Sequence, residues 1–508
     1  MTRPPAADRD QPAHPSALAG AAVGVLTAAV AMGIAQLVAG LTVAQSSPVL
    51  AVGQAAIDLT PLPVKDFAIS TFGADDKNAL LVGILVILAA FAAVIGILAV
   101  RRLALGLLGL GVFACIGLAA ALTRPNATAE YVIPTLVGAA AGAFAMSRLV
   151  HAASGLGSPA GGLGAPAGGP VSGGTAAKLE PPDLPASDEA EPASSFTFLP
   201  NPDDAGPARW PARRRFLTAS GLALATAAAG SLVGRELITR HNVSAARAAL
   251  RFPRPAVAAP PLPPGSNLNI PGLSSFITPD GSFYRVDTAL LLPEVDPATW
   301  QLRIHGMVQR EVTLTFDELL RHPLIEDYIT LTCVSNPVGG PYVGNARWLG
   351  ASLADLIRQA RPLAGADQLL CTSVDGFTSG TPLQVVLDGR DALLTVAMNG
   401  QALPVEHGFP ARMVVPGLYG YVSACKWVTD INVTTFASAY AYWATRGWSQ
   451  QGPIKTESRI DVPAGNAAIS PGRAQVAGVA WAQHKGIAAV EVRVDRGPWQ
   501  EARLAAVP

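Results

Sequence analysis

Four long runs without a charge restrict this chain more than any other feature. Ala17–Thr42, Ala79–Val100 and Leu103–Thr123 contain no Asp, Glu, Lys or Arg, and Tyr131–Val150 holds only Arg148, near its end, where a long side chain can snorkel to water. A helix of about 20 apolar residues crosses the hydrocarbon core of a bilayer, so residues 1–150 are predicted to form an all-α transmembrane region. Composition agrees, with 50% hydrophobic and 14% charged residues against roughly 25% charged in an average soluble protein. These spans carry no Asp, Glu, Lys or His, and an ion or proton path needs such groups, which argues against a transporter. Equal numbers of basic and acidic residues, 36 of each, leave no net charge to attract nucleic acid.

Arg101 and Arg102 follow the second run and Arg148 closes the fourth. The excess of basic residues in cytoplasmic loops places both sites inside. The N-terminus is then cytoplasmic and the Asp58–Lys77 loop external. Residues 151–212 are rich in Gly, Pro, Ala, Ser and acids. Such composition buries too little apolar surface to offset chain entropy, so a disordered cytoplasmic linker is expected. Next comes Arg213-Arg214-Arg215-Phe216-Leu217, then the weakly apolar Thr218–Val233. This order resembles a twin-arginine export signal; an ordinary fifth span with basic flanks is the alternative. Both put everything after about Gly234 outside. Ala227-Ala228-Ala229 offers a cleavage site, although alanine runs are common in helices, and an uncleaved anchor over 213–235 is favoured.

A Pro-rich tether follows within 236–266, and a globular part begins at Asn267. Alternating patterns predict strands at Trp300–Ile304, Tyr328–Thr332, Arg412–Val415 and Ala489–Val494, and amphipathic helices at Thr315–Arg321 and Leu353–Ala360. The four cysteines, Cys115, Cys333, Cys371 and Cys425, form no CxxC spacing and no disulfide framework. Cys333 ends the β-rich run Ile329–Thr332 and enters a turn with Asn336, Pro337, Gly339 and Gly340. A cysteine at a strand end can offer a thiolate to a soft metal, or it can be a small buried hydrophobe. His407, Arg412 and Lys426 bracket turns made by Gly408, Pro410, Pro416 and Gly417. Two cations and an imidazole there suit a phosphate-bearing ligand, or they are solvated groups of a surface loop.

Taken together these residues resemble the sulfite oxidase family of molybdopterin enzymes, in a membrane-anchored bacterial form of actinobacterial type. The resemblance runs from about Phe276 to the C-terminus. It rests on Phe283-Tyr284-Arg285, Thr332-Cys333-Val334-Ser335-Asn336, Asn345-Ala346-Arg347-Trp348-Leu349-Gly350, the His407-Gly408-Phe409-Pro410-Ala411-Arg412 run with Val414-Val415-Pro416-Gly417, and Cys425-Lys426-Trp427. It implies a molybdenum–molybdopterin cofactor with Cys333 as its metal ligand. It also implies that His407 and Arg412 contact the pterin and its phosphate, that Lys426 stands at the cofactor wall, and that Asn336 borders the site. Arg285 would reach an oxyanion substrate. Cys371 and Cys425 match no ligand and are read as structural thiols, with Cys115 in the membrane core.

Two departures bear on the substrate. Phe377 stands before Gly380-Thr381-Pro382-Leu383, where the sulfite enzymes carry a tyrosine whose hydroxyl could relay a proton. Tyr421–Cys425 is one residue longer and lacks a basic residue. Both argue against sulfite. The chain is thus expected to be multi-domain: a transmembrane bundle, an α+β molybdopterin domain over 267–445, and a partial Ig-like β-sandwich dimerisation domain over 446–508. The last is shorter than the roughly 100 residues such a sandwich takes, which reads as truncation, with a naturally shortened domain as the alternative. The expected activity is two-electron oxygen-atom transfer on a small molecule outside the membrane. Electrons would pass to or from a separate partner, and export would use the twin-arginine machinery. A sulfite dehydrogenase and a cofactor-free membrane scaffold are the alternatives.

Overall fold

The computed structural model describes residues 15–42, 46–61, 63–64, 67, 71, 76–124, 127–154, 210–240 and 243–508. Most of the expected linker, from 155 to 209, lies outside the described residues. The uncharged runs form helices α1 (Ala17–Leu41), α3 (Asp76–Arg101), α4 (Leu103–Leu122) and α5 (Ile133–Ser154), and a fifth long helix, α6, covers Trp210–Arg240. Among the described residues, five helices are long and apolar enough to cross a membrane. Pro48–Leu59 forms a short helix, α2, that the sequence patterns did not reveal.

The chain divides into two compact units. One comprises Met1–Ala35, Leu85–Cys115 and Leu136–Leu232. Among its described residues it is helical, and small residues let its helices touch through their backbones. A Cβ on Gly24 would lie 1.8 Å from the Ala92 carbonyl oxygen, and one on Gly230 would lie 2.7 Å from that of Gly33. Such close approach is the usual basis of helix association in lipid, where apolar side chains gain nothing by leaving the solvent. Helix α6 therefore belongs to the packed bundle. Outward residues such as Leu108, Phe144 and Leu222 are more than half exposed. Arg213, Arg214 and Arg215 are exposed near the start of α6, and Cys115 lies on an outward face of α4.

The second unit holds Gln36–Ile84, Ile116–Thr135 and Val233–Pro508. Helix α7 (Ser244–Ala249) opens its C-terminal stretch. Two sheets follow. One has the order β2-β1-β10-β5-β6, from Val312–Thr315, Gln301–Gly306, Val428–Thr434, Gln368–Ser373 and Thr378–Pro382. The other runs β3-β4-β7-β8, from Leu324–Thr332, Val343–Ser352, Leu393–Met398 and Gln401–Ala402, with β9 (Arg412–Val414) beside β7. Helices α8 (Phe316–Arg321) and α9 (Leu353–Ala360) contribute to the main core. Thr315 caps α8 through a reciprocal capping box with Glu318, which satisfies two otherwise orphaned backbone donors.

Strand β3 extends further back than its alternation suggested, because Glu326 and Asp327 interrupt the apolar pattern while Leu324 is buried. Of the strand expected at Ala489–Val494, Glu491–Val492 forms, paired with a second short strand at Gln500–Glu501. Asp495 takes φ +51 and Val494 is exposed, so the alternating pattern does not continue as a strand. Glu457–Val462 and Ala477–Trp481 form another two-stranded ladder. The segment read as a tether packs on the domain. Arg247 donates to the Ala402 and Leu403 carbonyls, and Ala256 and Val257 lie along β3 at Leu324–Glu326.

Strand β7 is buried along its whole length, and its ladder to β4 shifts register between Leu349 and Gly350. A Cβ on Gly350 would stand 2.4 Å from the Leu394 carbonyl oxygen. Gly350→Ala is expected to cost about 1–3 kcal/mol, the usual penalty of overpacking. Urea unfolding of the detergent-solubilised chain measures this, and an unchanged midpoint would count against the close β4–β7 approach.

Candidate active site

Cys333 follows directly on β3. Its N–H donates to the Tyr342 carbonyl (3.0 Å), and the Tyr342 N–H donates to the side-chain oxygen of Asn336 (2.8 Å). The Asn336 N–H donates back to the Cys333 carbonyl (3.0 Å). These bonds fix the loop that presents the thiol, so Asn336 shapes the Cys333 loop in addition to any role toward a ligand. Cys333 is only partly exposed. Burial pushes its thiol up, against hydrogen bonds from Ser335. A bound metal would have to supply the charge that deprotonates it. The neighbouring Thr332 hydroxyl is buried and has no hydrogen-bond partner among the described residues.

His407 and Arg412 meet across a turn that only glycine fits. Gly408 takes φ +111, and a Cβ there would lie 3.0 Å from the Arg412 Cβ and 3.1 Å from the Lys426 Cβ. The absent side chain therefore lets Arg412 and Lys426 pack on either side. Arg412 is 5% exposed. Its guanidinium donates to the His407 carbonyl (3.0 Å) and the Ala424 carbonyl (3.3 Å), and lies 5.2 Å from the centre of the Trp348 ring. No carboxylate among the described residues forms an ion pair with it. Burial lowers its pKa to about 10. His407 is lowered to about 4 by burial and by Arg412 and Lys426. It is therefore neutral at pH 7, and the Asp280 carbonyl, 3.3 Å from Nε2, places the ring proton there.

Lys426 is also buried. Its ammonium donates to Asp287 (2.7 Å) and to the Glu406 carbonyl (3.0 Å), and lies over the Trp427 ring. Burial lowers its pKa to about 8, and Asp287 opposes the shift. Asp287 is 4% exposed at its side chain and pairs with Lys426, with Arg285 (2.7 Å) and with Lys77 (2.6 Å). Burial alone would raise its carboxyl, yet the three cations hold it far below the usual carboxylate range.

His407, Arg412 and Lys426 are thus brought together and out of solvent, unlike the groups of a surface loop. Arg285 is engaged with Asp287 and is the most exposed of the cluster's basic groups. The residue of its motif that faces the site is Tyr284. Burial and the nearby Cys333 raise its phenol, and the nearby Arg412 acts in the opposite sense, so Tyr284 remains a protonated hydrogen-bond donor. Asp287 and Tyr284 were not singled out by residue type. Tyr284 was visible only as a member of a motif, and Asp287 carried no local signal. Phe377 packs 5.7 Å from Tyr442. Cys371 and Cys425 are fully buried, and burial pushes Cys425 up to about 12 and Cys371 well above its usual value, as inert structural thiols require.

His407 gives the pH dependence a definite sign. Its folded pKa of about 4 lies below the unfolded value of about 6.5. Between them the unfolded chain binds more protons, so the contribution is complete above about pH 6.5 and is lost as pH falls toward about 4. Asp287 acts at lower pH, because its depressed carboxyl contributes above an unfolded value of about 3.9. In the cofactor-free protein His407→Gln should flatten the decline in unfolding free energy between pH 6.5 and 4.5. Parallel wild-type and variant profiles would remove His407 from the balance.

A family profile described as "Oxidoreductase molybdopterin binding domain" matches residues 289–443. Mitochondrial sulfite oxidase of Mus musculus is 30% identical over 272 residues, covering 45% of this chain and 49% of that protein. The chain therefore spans about half the length of the sulfite oxidase it matches. Nitrate reductase [NADH] 1 of Oryza sativa subsp. japonica is 33% identical over 33% of this chain and 21% of that protein. "Uncharacterized oxidoreductase YuiH" of Bacillus subtilis (strain 168) is 31% identical over 31% of this chain and 76% of that protein. With a relative matched over three quarters of its length, and the domain placed on the strands that carry Cys333 and Arg412, the chain belongs to the molybdopterin oxidoreductases of the sulfite oxidase family.

Proposed function

We propose that this chain is a membrane-anchored oxidoreductase that carries out two-electron oxygen-atom transfer on a small molecule outside the cytoplasmic membrane. The family implies a molybdenum cofactor, and the donor set fits one. The observation that carries the reading is a buried guanidinium, Arg412, without a carboxylate partner among the described residues, close to a neutral imidazole and a buried ammonium. Such a group is costly until an anion pairs with it. A pterin phosphate is of the right charge, and Cys333 offers the soft ligand.

Cys333 would hold the metal and give up its thiol proton on binding. Arg412 and Lys426 would hold the anionic part of the cofactor, with His407 and Asn336 at its border. When bound, the cofactor supplies the two-electron redox step. Tyr284 supplies a protonated hydroxyl near Cys333 and can orient an oxygen of the substrate, with Arg285 a candidate to draw an oxyanion toward the site. Phe377 lacks the hydroxyl expected of a sulfite enzyme, so reduction of an S- or N-oxide, or oxidation of another small oxyanion, fits better. Electrons would be exchanged with a separate partner protein. We read 446–508 as belonging to an Ig-like dimerisation domain, in keeping with a homodimer.

Sidedness is supported by grouping. The segments joining the first span to the second, and the third to the fourth, fall in the same compact unit as the oxidoreductase domain. Asp58 pairs with Arg124, the Asp58 carbonyl accepts from Arg446, and Lys77 pairs with Asp287. Both segments are external when Arg101, Arg102 and Arg148 are cytoplasmic. A cofactor domain loaded before export would need a route for folded protein, which is the part assigned to Arg213–Leu217.

Full-length protein purified from membranes should contain molybdenum. Cys333→Ser should lower turnover by more than roughly 100-fold, the upper figure for mere outer-shell ligand partners, while leaving the fold intact by circular dichroism. Full activity of that variant would sink the site. Replacing Arg213, Arg214 and Arg215 together by Lys keeps the positive charge and should trap the domain inside, shielded from externally added protease. Normal export of the triple variant would make α6 an ordinary charge-directed span.

A further inference from the structure

Lys77 is 210 residues from Asp287 in sequence, yet its ammonium meets that carboxylate at 2.6 Å and the Ala289 carbonyl at 2.8 Å. It is the second residue of α3, where the helix dipole disfavours a cation. A lysine at a span end ordinarily snorkels toward water or lipid headgroups. Here both acceptors belong to one short stretch, and a Cβ on Gly53 of α2 would lie 2.8 Å from the Leu290 side chain. Asp287–Leu290 is therefore held by two membrane-proximal helices. The same carboxylate is the partner of Lys426 and Arg285. Asp287 is thus shared among three cations, Lys77, Arg285 and Lys426.

We infer that Lys77 is a positioning residue for the cofactor pocket: by sharing Asp287 it keeps that carboxylate from neutralising Lys426 and leaves Lys426 free to engage an anionic group. This rests on the reading of Lys426 as part of the cofactor wall. Without Lys77, one buried carboxylate would face Lys426 with only Arg285 to compete, and Lys426 would be drawn away from the incoming anion. The membrane region thereby acts on the chemistry of a pocket with which it shares no strand. The substrate class of the reaction is unaffected; what changes is how firmly the anionic cofactor is kept.

The test uses full-length holoprotein in detergent. The rate at which molybdenum and pterin leave the protein during dialysis is measured for wild type, Lys77→Met, Lys77→Arg, Asp287→Asn, and Lys77→Met combined with Asp287→Asn. Loss from Lys77→Met should be roughly 10–100-fold faster, the range for outer-shell partners of a metal site. Lys77→Arg should restore retention, and Lys77→Met should add nothing in the Asp287→Asn background, since the inferred effect passes through that carboxylate. If Lys77→Met does not accumulate, Lys77→Gln, which keeps a donor for the Ala289 carbonyl, carries the same expectation. Wild-type retention in the neutral variant, or equal loss in the Met and Arg variants, overturns the inference. A wild-type protein free of molybdenum would instead overturn the functional reading and this inference with it.

Discussion

A guanidinium taken out of water is stable only if its five donors find acceptors and its charge finds a counter-charge. Arg412 has the first in part, through the carbonyls of His407 and Ala424, and lacks the second among the described residues. Much of the surrounding structure follows from keeping it there. Strand β9 must pair with the fully buried β7 to carry the side chain inside. The turn before it must be glycine, because any Cβ at Gly408 would crowd Arg412 and Lys426. His407 must stay neutral beside the guanidinium, and its acceptor at Asp280 agrees with that. The face of Trp348 lends its quadrupole to the cation. The site is thus built around a charge the protein alone leaves incomplete.

The parts of this arrangement that lie close together in sequence were legible from it. The long apolar helices were visible because absence of charge over about 20 residues is a one-dimensional signal. Cys333 was visible because a β-rich run ends on it, and His407 with Arg412 because a single short run carries both. Helix α9 matches its amphipathic pattern, with Leu353, Leu356 and Ile357 buried. Tyr284 was readable as part of a motif, while its place beside Cys333 and Arg412 depends on how the loop before β1 folds back. Asp287 was not readable. It is one acid in an irregular stretch, and two of its partners, Lys77 and Lys426, lie 210 and 139 residues away. The alternation over Ala489–Val494 was matched only in part: Glu491–Val492 pairs with Gln500–Glu501, and the pairing stops before Asp495, whose φ of +51 turns the chain.

The long apolar helices are also closely packed on one another. Backbone-to-backbone contacts at Gly24 and Gly230 bring α1 against both α3 and α6, so α6 is built into the bundle by shape. On the other side of the unit boundary, α2 and the start of α3 hold Asp287–Leu290. One stretch of irregular chain before β1 therefore serves as the meeting point of α2, the start of α3, Lys426 and Arg285.

Ala256 and Val257 occupy hydrogen-bonding positions along the outer side of β3, at Leu324–Glu326. Strand β3 ends one sheet, and an uncovered end strand offers a row of free N–H and C=O groups onto which another chain can add. The residues that join the domain to its last helix fill part of that row. A solubility safeguard is thus written into the connecting segment, and severing the chain between α7 and β1 would do more than release the domain. It would allow the covering segment to leave, and expose the strand that presents Cys333 to edge-to-edge aggregation.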